Sequence, residues 1–334
     1  LQGLELAEKY YHEIVGPAFR EKFPGLYDQM AFGLVGPGSE CYGYDDEISR
    51  DHDWGPKVCI WIPEGLFRER GEELQSVYNS LPGECCGFKG VNRRDLALRR
   101  DGVISTKSFY ENYSGMGRPP NNNLQWLHQQ DDQLAQCTNG KVFLDNLGEF
   151  SAFRRALLAY YPRDVWLKKI VSRCVMISQY GQYNLRRAQR RRDAPGEHYC
   201  WAMCTAEAAA LAFLLKKKYR PFYKWQFKGL EELGDLGRQL ITLMRRFYGP
   251  AGSQPETETG ADSGVVERIV ALLSDELIRL IRSSAAEGDP SFMRKLDDLH
   301  LDALQKENYL QDIGFAIQEL IEDENIRNNY GFVE

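Results

Sequence analysis

Two apolar runs, Met30 to Val35 and Val58 to Ile62, flank a segment that few folds accommodate: Gly38-Ser39, eleven residues, then Asp51-His52-Asp53. A Gly-Ser turn closing an apolar strand can aim backbone N–H groups at a phosphate. An Asp-x-Asp at the mouth of the next strand is expected to project both carboxylates to one side of the sheet, because strand side chains alternate. Such a pair facing a phosphate-binding turn suits Mg²⁺ and a nucleotide, since Mg²⁺ takes one or two protein carboxylates together with phosphate oxygens. His52, between the two, is expected to point to the other face and to pack or hydrogen-bond there.

Asp45, Asp46, Glu47, Asp51 and Asp53 crowd five carboxylates into nine residues, which repel one another unless compensated. Five exceed what metal binding needs, so some are expected to be structural or to pair with Arg50, while Glu40 and Asp46 lie within reach of the metal.

Periodicity predicts a helix over 3–22 broken at Gly16-Pro17, strands near 30–35 and 56–62, and an amphipathic helix over 65–81. Short strands at 87–91 and 102–106 and a Gly/Pro/Asn loop from Ser114 to Asn123 complete an α/β pattern. Beyond it, 124–135 reads as helix, 141–145 as an edge strand or hairpin, and 150–160, 164–192, 200–217 and 221–247 as successive helices. Gly249 to Gly264 is expected to be a mobile loop before closing helices near 265–283, 289–299 and 301–323. The predicted organisation is therefore an α/β domain over 1–123 and a helical bundle over 124–334.

The Gly-Ser…Asp-x-Asp element resembles the signature of the nucleotidyltransferase superfamily. The chain looks closest to the bacterial family DUF4037, also through Gln179-Tyr180-Gly181-Gln182-Tyr183-Asn184 and Tyr219-Arg220-Pro221-Phe222-Tyr223-Lys224-Trp225. The resemblance implies an α/β (α+β) nucleotidyltransferase-like mixed sheet domain followed by an α-helical bundle that closes a nucleotide cleft. It implies Mg²⁺ (or Mn²⁺) dependent transfer of NMP from an NTP, with ATP favoured, to an unidentified acceptor. Asp51 and Asp53 would be the catalytic metal ligands, and Gly38 and Ser39 would hold the triphosphate. A third carboxylate normally completes such a site. Asp95 and Asp101 lie in the right region, but the expected strand, Val103 to Thr106, carries no acid, and Asp145 is a further candidate.

Cations must also meet the triphosphate. Lys224 could hold its outer phosphates and Tyr223 could touch base or acceptor, against the alternative of a basic helix end after Lys216-Lys217-Lys218 with the aromatics as packing. Five arginines occupy the seven residues 186–192, where a salt-bridged face competes with phosphate binding, and Arg187 is the one expected to turn inward.

A net charge of −6 disfavours a general nucleic-acid binder. It leaves a small-molecule acceptor ahead of a macromolecular one such as a tRNA end. No membrane span or leader is expected, and the eight cysteines show no CxxC, so reduced thiols and a cytoplasmic location are expected. Cys200, Cys204 and His198 read as helix packing rather than a metal site. Two other functional classes stay open: a nucleotide-binding sensor or inactive relative, and a non-enzymatic interaction module.

Overall fold

Helix formers at 3–22 give three consecutive helical segments in the computed structural model, which describes residues 1–51, 53–90, 100–248, 263–286 and 290–329. They are α1 (Gly3–Tyr10), a π-helical turn (Tyr11–Val15) and α2 (Gly16–Lys22). Gly16-Pro17 does not break the helix. Pro17 lies in the first turn of α2, where a missing N–H costs little, and the π turn widens the backbone ahead of its ring.

There follow β1 (Ala31–Leu34), α3 (Ser39–Tyr42), β2 (Cys59–Ile62), α4 (Glu64–Ser80), the hairpin β3 (Glu84–Cys85) and β4 (Phe88–Lys89), and β5 (Gly102–Ser105). Next come α5 (Thr106–Ser114), α6 (Asn123–Leu127), α7 (Asp131–Thr138), β6 (Lys141–Asp145) and α8 (Glu149–Leu158). The main sheet is mixed, in the order β5-β2-β1-β6: β1 is antiparallel to β2 and β6, and β2 is parallel to β5. The hairpin forms a second, two-stranded sheet.

Every residue of β1 and β2 is buried, so helices cover both faces. Phe32, Ile60 and Ile62 join Leu6, Tyr10, Phe19, Leu74 and Tyr78 in one core cluster. Trp61 points the other way, stacked on Phe150 at 3.8 Å and edge-on to Phe109. Alternation along β2 thus builds two apolar layers from one strand.

The chain divides into two compact units. The first holds residues 1–120 and 132–160, the second 121–131 and 161–334. This differs from a single boundary at 123. The strand at 141–145 pairs along β1, with Ala31 opposite Asp145 and Leu34 opposite Lys141, which draws its segment into the first unit.

The second unit is helical: α9 (Arg163–Ile177), a π-helical segment (Ser178–Leu185), α10 (Arg186–Arg191), α11 (Ala194–Leu215), α12 (Tyr223–Glu231) and α13 (Asp235–Tyr248). Then come α14 (Ser263–Ala286), α15 (Pro290–Asp298), α16 (Leu301–Glu307), α17 (Leu310–Gln318) and α18 (Glu324–Arg327). The expected helix over 221–247 is split at Gly234, whose φ of 74° is left-handed. The expected loop at 249–264 falls almost wholly outside the described residues. By length and composition α11 could cross a bilayer, but 67% of its most apolar window is buried by its neighbours, as in a bundle's core helix.

Candidate functional site

The strand register fixes which residues meet at the end of β1. Gly33 pairs with Cys59 and Cys59 with Gly102, while Leu34 pairs with Lys141. The end of β1 and the beginnings of β2, β5 and β6 therefore share one edge of the sheet. Gly38 and Ser39 follow β1 there, Lys57 precedes β2, and Arg100 and Asp101 precede β5. Asp145, opposite Ala31, is at the far end. Its carboxylate accepts from the N–H groups of Gly148 (2.7 Å) and Ser151 (2.8 Å), which is a helix-capping role.

Gly38 caps α3 and Ser39 opens it. Beneath the turn lies Glu40, 4% exposed, and a Cβ at Gly38 would overlap its carboxylate. Only glycine lets that acid fold back under the turn. Asn139 fixes the approach from the other side, its side chain accepting from Gly36 N–H (3.0 Å) and donating to Gly36 C=O (2.7 Å).

Lys57 joins the turn to the Asp-x-Asp loop. Its ammonium pairs with Glu40 Oε1 at 2.5 Å and donates to the backbone carbonyl of Asp53 at 2.5 Å. Burial opposes the charged form of Lys57, but Glu40 outweighs burial and holds the ammonium above the ordinary lysine range. Asp53 itself adopts a left-handed backbone (φ 55°), and its mostly buried carboxylate faces Arg100 at 3.3 Å. Beyond it, Tyr78 O–H donates to Asp101 at 2.7 Å, and burial followed by the Asp101 charge pushes the Cys59 thiol up to about 12.

The Asp-x-Asp pair is not at a strand mouth. Asp51 ends a 3₁₀ turn (Ile48–Asp51), and β2 begins only at Cys59, so strand alternation does not orient the pair. The Asp51 side chain, His52 and Asp95 lie outside the described residues.

Other members of the acidic segment have structural partners. Asp45 accepts from Gly3 N–H (2.8 Å) and Trp54 Nε1–H (3.0 Å), and Asp46 from the N–H and O–H of Ser49 (both 2.9 Å). Arg50 lies over the Trp54 ring at 4.8 Å. Sequence reasoning missed Lys57, Asn139 and Arg100. The one available signal was Lys57, a lone cation between the acidic loop and an apolar strand.

The remaining expected ligands belong to the second unit. Tyr223 is 81% exposed at the start of α12, and the Lys224 ammonium lies 4.9 Å over the Trp225 ring. Arg187, expected to turn inward, is exposed and lies over the Tyr183 ring at 4.8 Å, donating to its hydroxyl. Arg186 pairs with Glu267 at 2.5 Å and Lys216 with Glu276 at 2.7 Å, so part of both basic runs is neutralised internally. A cavity of about 420 Å³ opens beside α12, between Thr205, Phe227, Lys228, Met244 and the Glu231–Arg245 ion pair. Cys204 is buried against Gly181, and His198 Nδ1 contacts Ala194 C=O at 2.7 Å, as packing residues would be.

Residues 126–226 match the model of a family described as a domain of unknown function, DUF4037. The matched stretch contains β6, Arg187, Tyr223 and Lys224 and begins after the Gly-Ser and Asp-x-Asp elements. No curated protein and no solved structure matches the chain.

Proposed function

We propose that this chain is a nucleotidyltransferase that moves an NMP group from an NTP, ATP first among them, to an unidentified acceptor. In that reaction the acceptor atom bonds to the α-phosphorus, the bond from phosphorus to the bridging oxygen breaks, and pyrophosphate leaves. The observation that carries the reading is the Glu40–Lys57–Asp53 link, which makes the Gly-Ser turn and the Asp-x-Asp loop a single unit at the sheet edge.

The hard oxygen donors of Asp51 and Asp53, with Asp101 at the same edge, fit Mg²⁺ (or Mn²⁺). When bound there, the metal would neutralise charge on the phosphate oxygens. Arg100, 43% exposed, offers a guanidinium to a phosphate at that edge. Tyr223, Lys224 and Arg187 are proposed nucleotide contacts on the resemblance alone, and the acceptor is a small molecule before a tRNA. Eight free cysteines suit a cytoplasmic location.

Two observations favour a second reading, a nucleotide-binding protein without transfer. β5 carries no acid, and the Asp53 carboxylate is paired with Arg100. A thermal-shift titration of the four NTPs with and without Mg²⁺ tests binding. One NTP should raise Tm by several degrees at about a hundredfold excess over Kd, only with Mg²⁺ and not in Asp51→Ala/Asp53→Ala. Absence of any shift at saturating NTP in folded protein rejects both readings in favour of an interaction module. Pyrophosphate release over an acceptor panel then separates transfer from binding alone.

A further inference from the structure

The tip of the β3–β4 hairpin carries two adjacent cysteines where the backbone prefers other residues. Cys86 and Gly87 form a two-residue loop with φ of 53° and 80°, a turn for which Asn-Gly is the favoured pair. Cys85 Sγ and Cys86 Sγ are 3.7 Å apart. Glu13, on the π turn Tyr11–Val15, brings a carboxylate oxygen to the same place, and the three potential ligand atoms lie within 4.8 Å of one another.

We propose that Cys85, Cys86 and Glu13 bind a thiophilic divalent cation of the Zn²⁺ class. A tetrahedral site with Zn–S bonds of about 2.3 Å requires sulfurs about 3.8 Å apart, close to the separation the hairpin already holds. Water completes the fourth position. On binding, two thiol protons leave and two metal–sulfur bonds and one metal–oxygen bond form. The ligands carry −3 and the metal +2, and the remaining single negative charge lies at a site whose Cys86 and Glu13 are exposed to solvent counter-ions.

Cys85 is buried while Cys86 and Glu13 are exposed, so the cation has a route in from solvent. Bound metal would staple the hairpin to the N-terminal helix. Phe88 of that hairpin packs edge-on against Trp54 at 5.2 Å, and a Cβ on Gly55 would meet the Lys89 carbonyl at 2.9 Å. The staple therefore steadies the loop that follows Asp53. Metal binding at the hairpin is independent of nucleotidyl transfer.

The test is a Co²⁺ titration of the full chain, metal-stripped and with thiols counted as reduced. The expected result is a thiolate-to-cobalt charge-transfer band with the visible bands of tetrahedral Co²⁺, both displaced by Zn²⁺. Cys86→Ser, at an exposed position, should lose the charge-transfer band while keeping the native circular dichroism spectrum. Glu13→Gln should retain the band with weaker affinity. No charge-transfer band in reduced, folded protein, or a band that survives Cys86→Ser unchanged, overturns the site.

Discussion

Lys57 shows how one side chain can decide whether an acidic loop is an ordered site. Its ammonium is the counter-charge that lets Glu40 lie buried beneath Gly38. Removing one partner of a buried ion pair strands the other, at about 3–5 kcal/mol. Lys57→Met should therefore lower unfolding free energy by roughly that amount in urea titrations, and Glu40→Gln added to it should recover part of the loss. The pH dependence follows from the direction of the shift. The folded-state pKa of Lys57 is raised, so its contribution is complete below the unfolded value of about 10.4 and is lost as pH climbs through the folded value. Wild type should therefore lose stability in strong alkali that Lys57→Met has already forfeited. At this scale the sequence was partly legible. Its composition announced a compensated acidic loop, but not which acids were structural, because Asp45 is engaged by Gly3, 42 residues earlier in the chain.

Elements were readable wherever local pattern governs, and misread where backbone geometry does. The amphipathic helix expected over 65–81 appears as α4, because burial of one face imposes a period, and the strands near 30–35 and 102–106 appear as β1 and β5, short and largely buried runs. The π-helical segments at Tyr11–Val15 and Ser178–Leu185 left no such trace, since one extra residue in a turn does not alter composition. Gly181 gives the second of them its packing: a Cβ there would lie 2.5 Å from Cys204 Sγ and 3.0 Å from Val266. Gly181→Ala overfills a tight contact and should destabilise by about 1–3 kcal/mol in chemical denaturation. Adding Cys204→Ala, which removes the clashing sulfur, should restore most of the loss. Equal effects with and without that second change would mean that the π-helical backbone, not the contact, sets the cost.

At the scale of the whole molecule, the least legible feature was that the first unit is built from two stretches of chain. Helical periodicity after 124 suggested a boundary there, and nothing local in Lys141–Asp145 reveals that its partner is β1. Long-range pairing is invisible to any window-based reading. It has a direct consequence for dissection of the protein. A fragment ending at 123 leaves the β1 edge unpaired and strips Phe150 from the face of Trp61, exposing an edge strand and a large aromatic surface together. A fragment ending at 160 keeps both β6 and α8. The 1–160 fragment should therefore unfold cooperatively by circular dichroism and remain soluble, whereas 1–123 should aggregate or melt without a cooperative transition. If 1–123 instead unfolds as cooperatively as 1–160, β6 is an ornament on a self-sufficient sheet, and the proposed site would need neither the Asn139 clamp nor the strand that follows it.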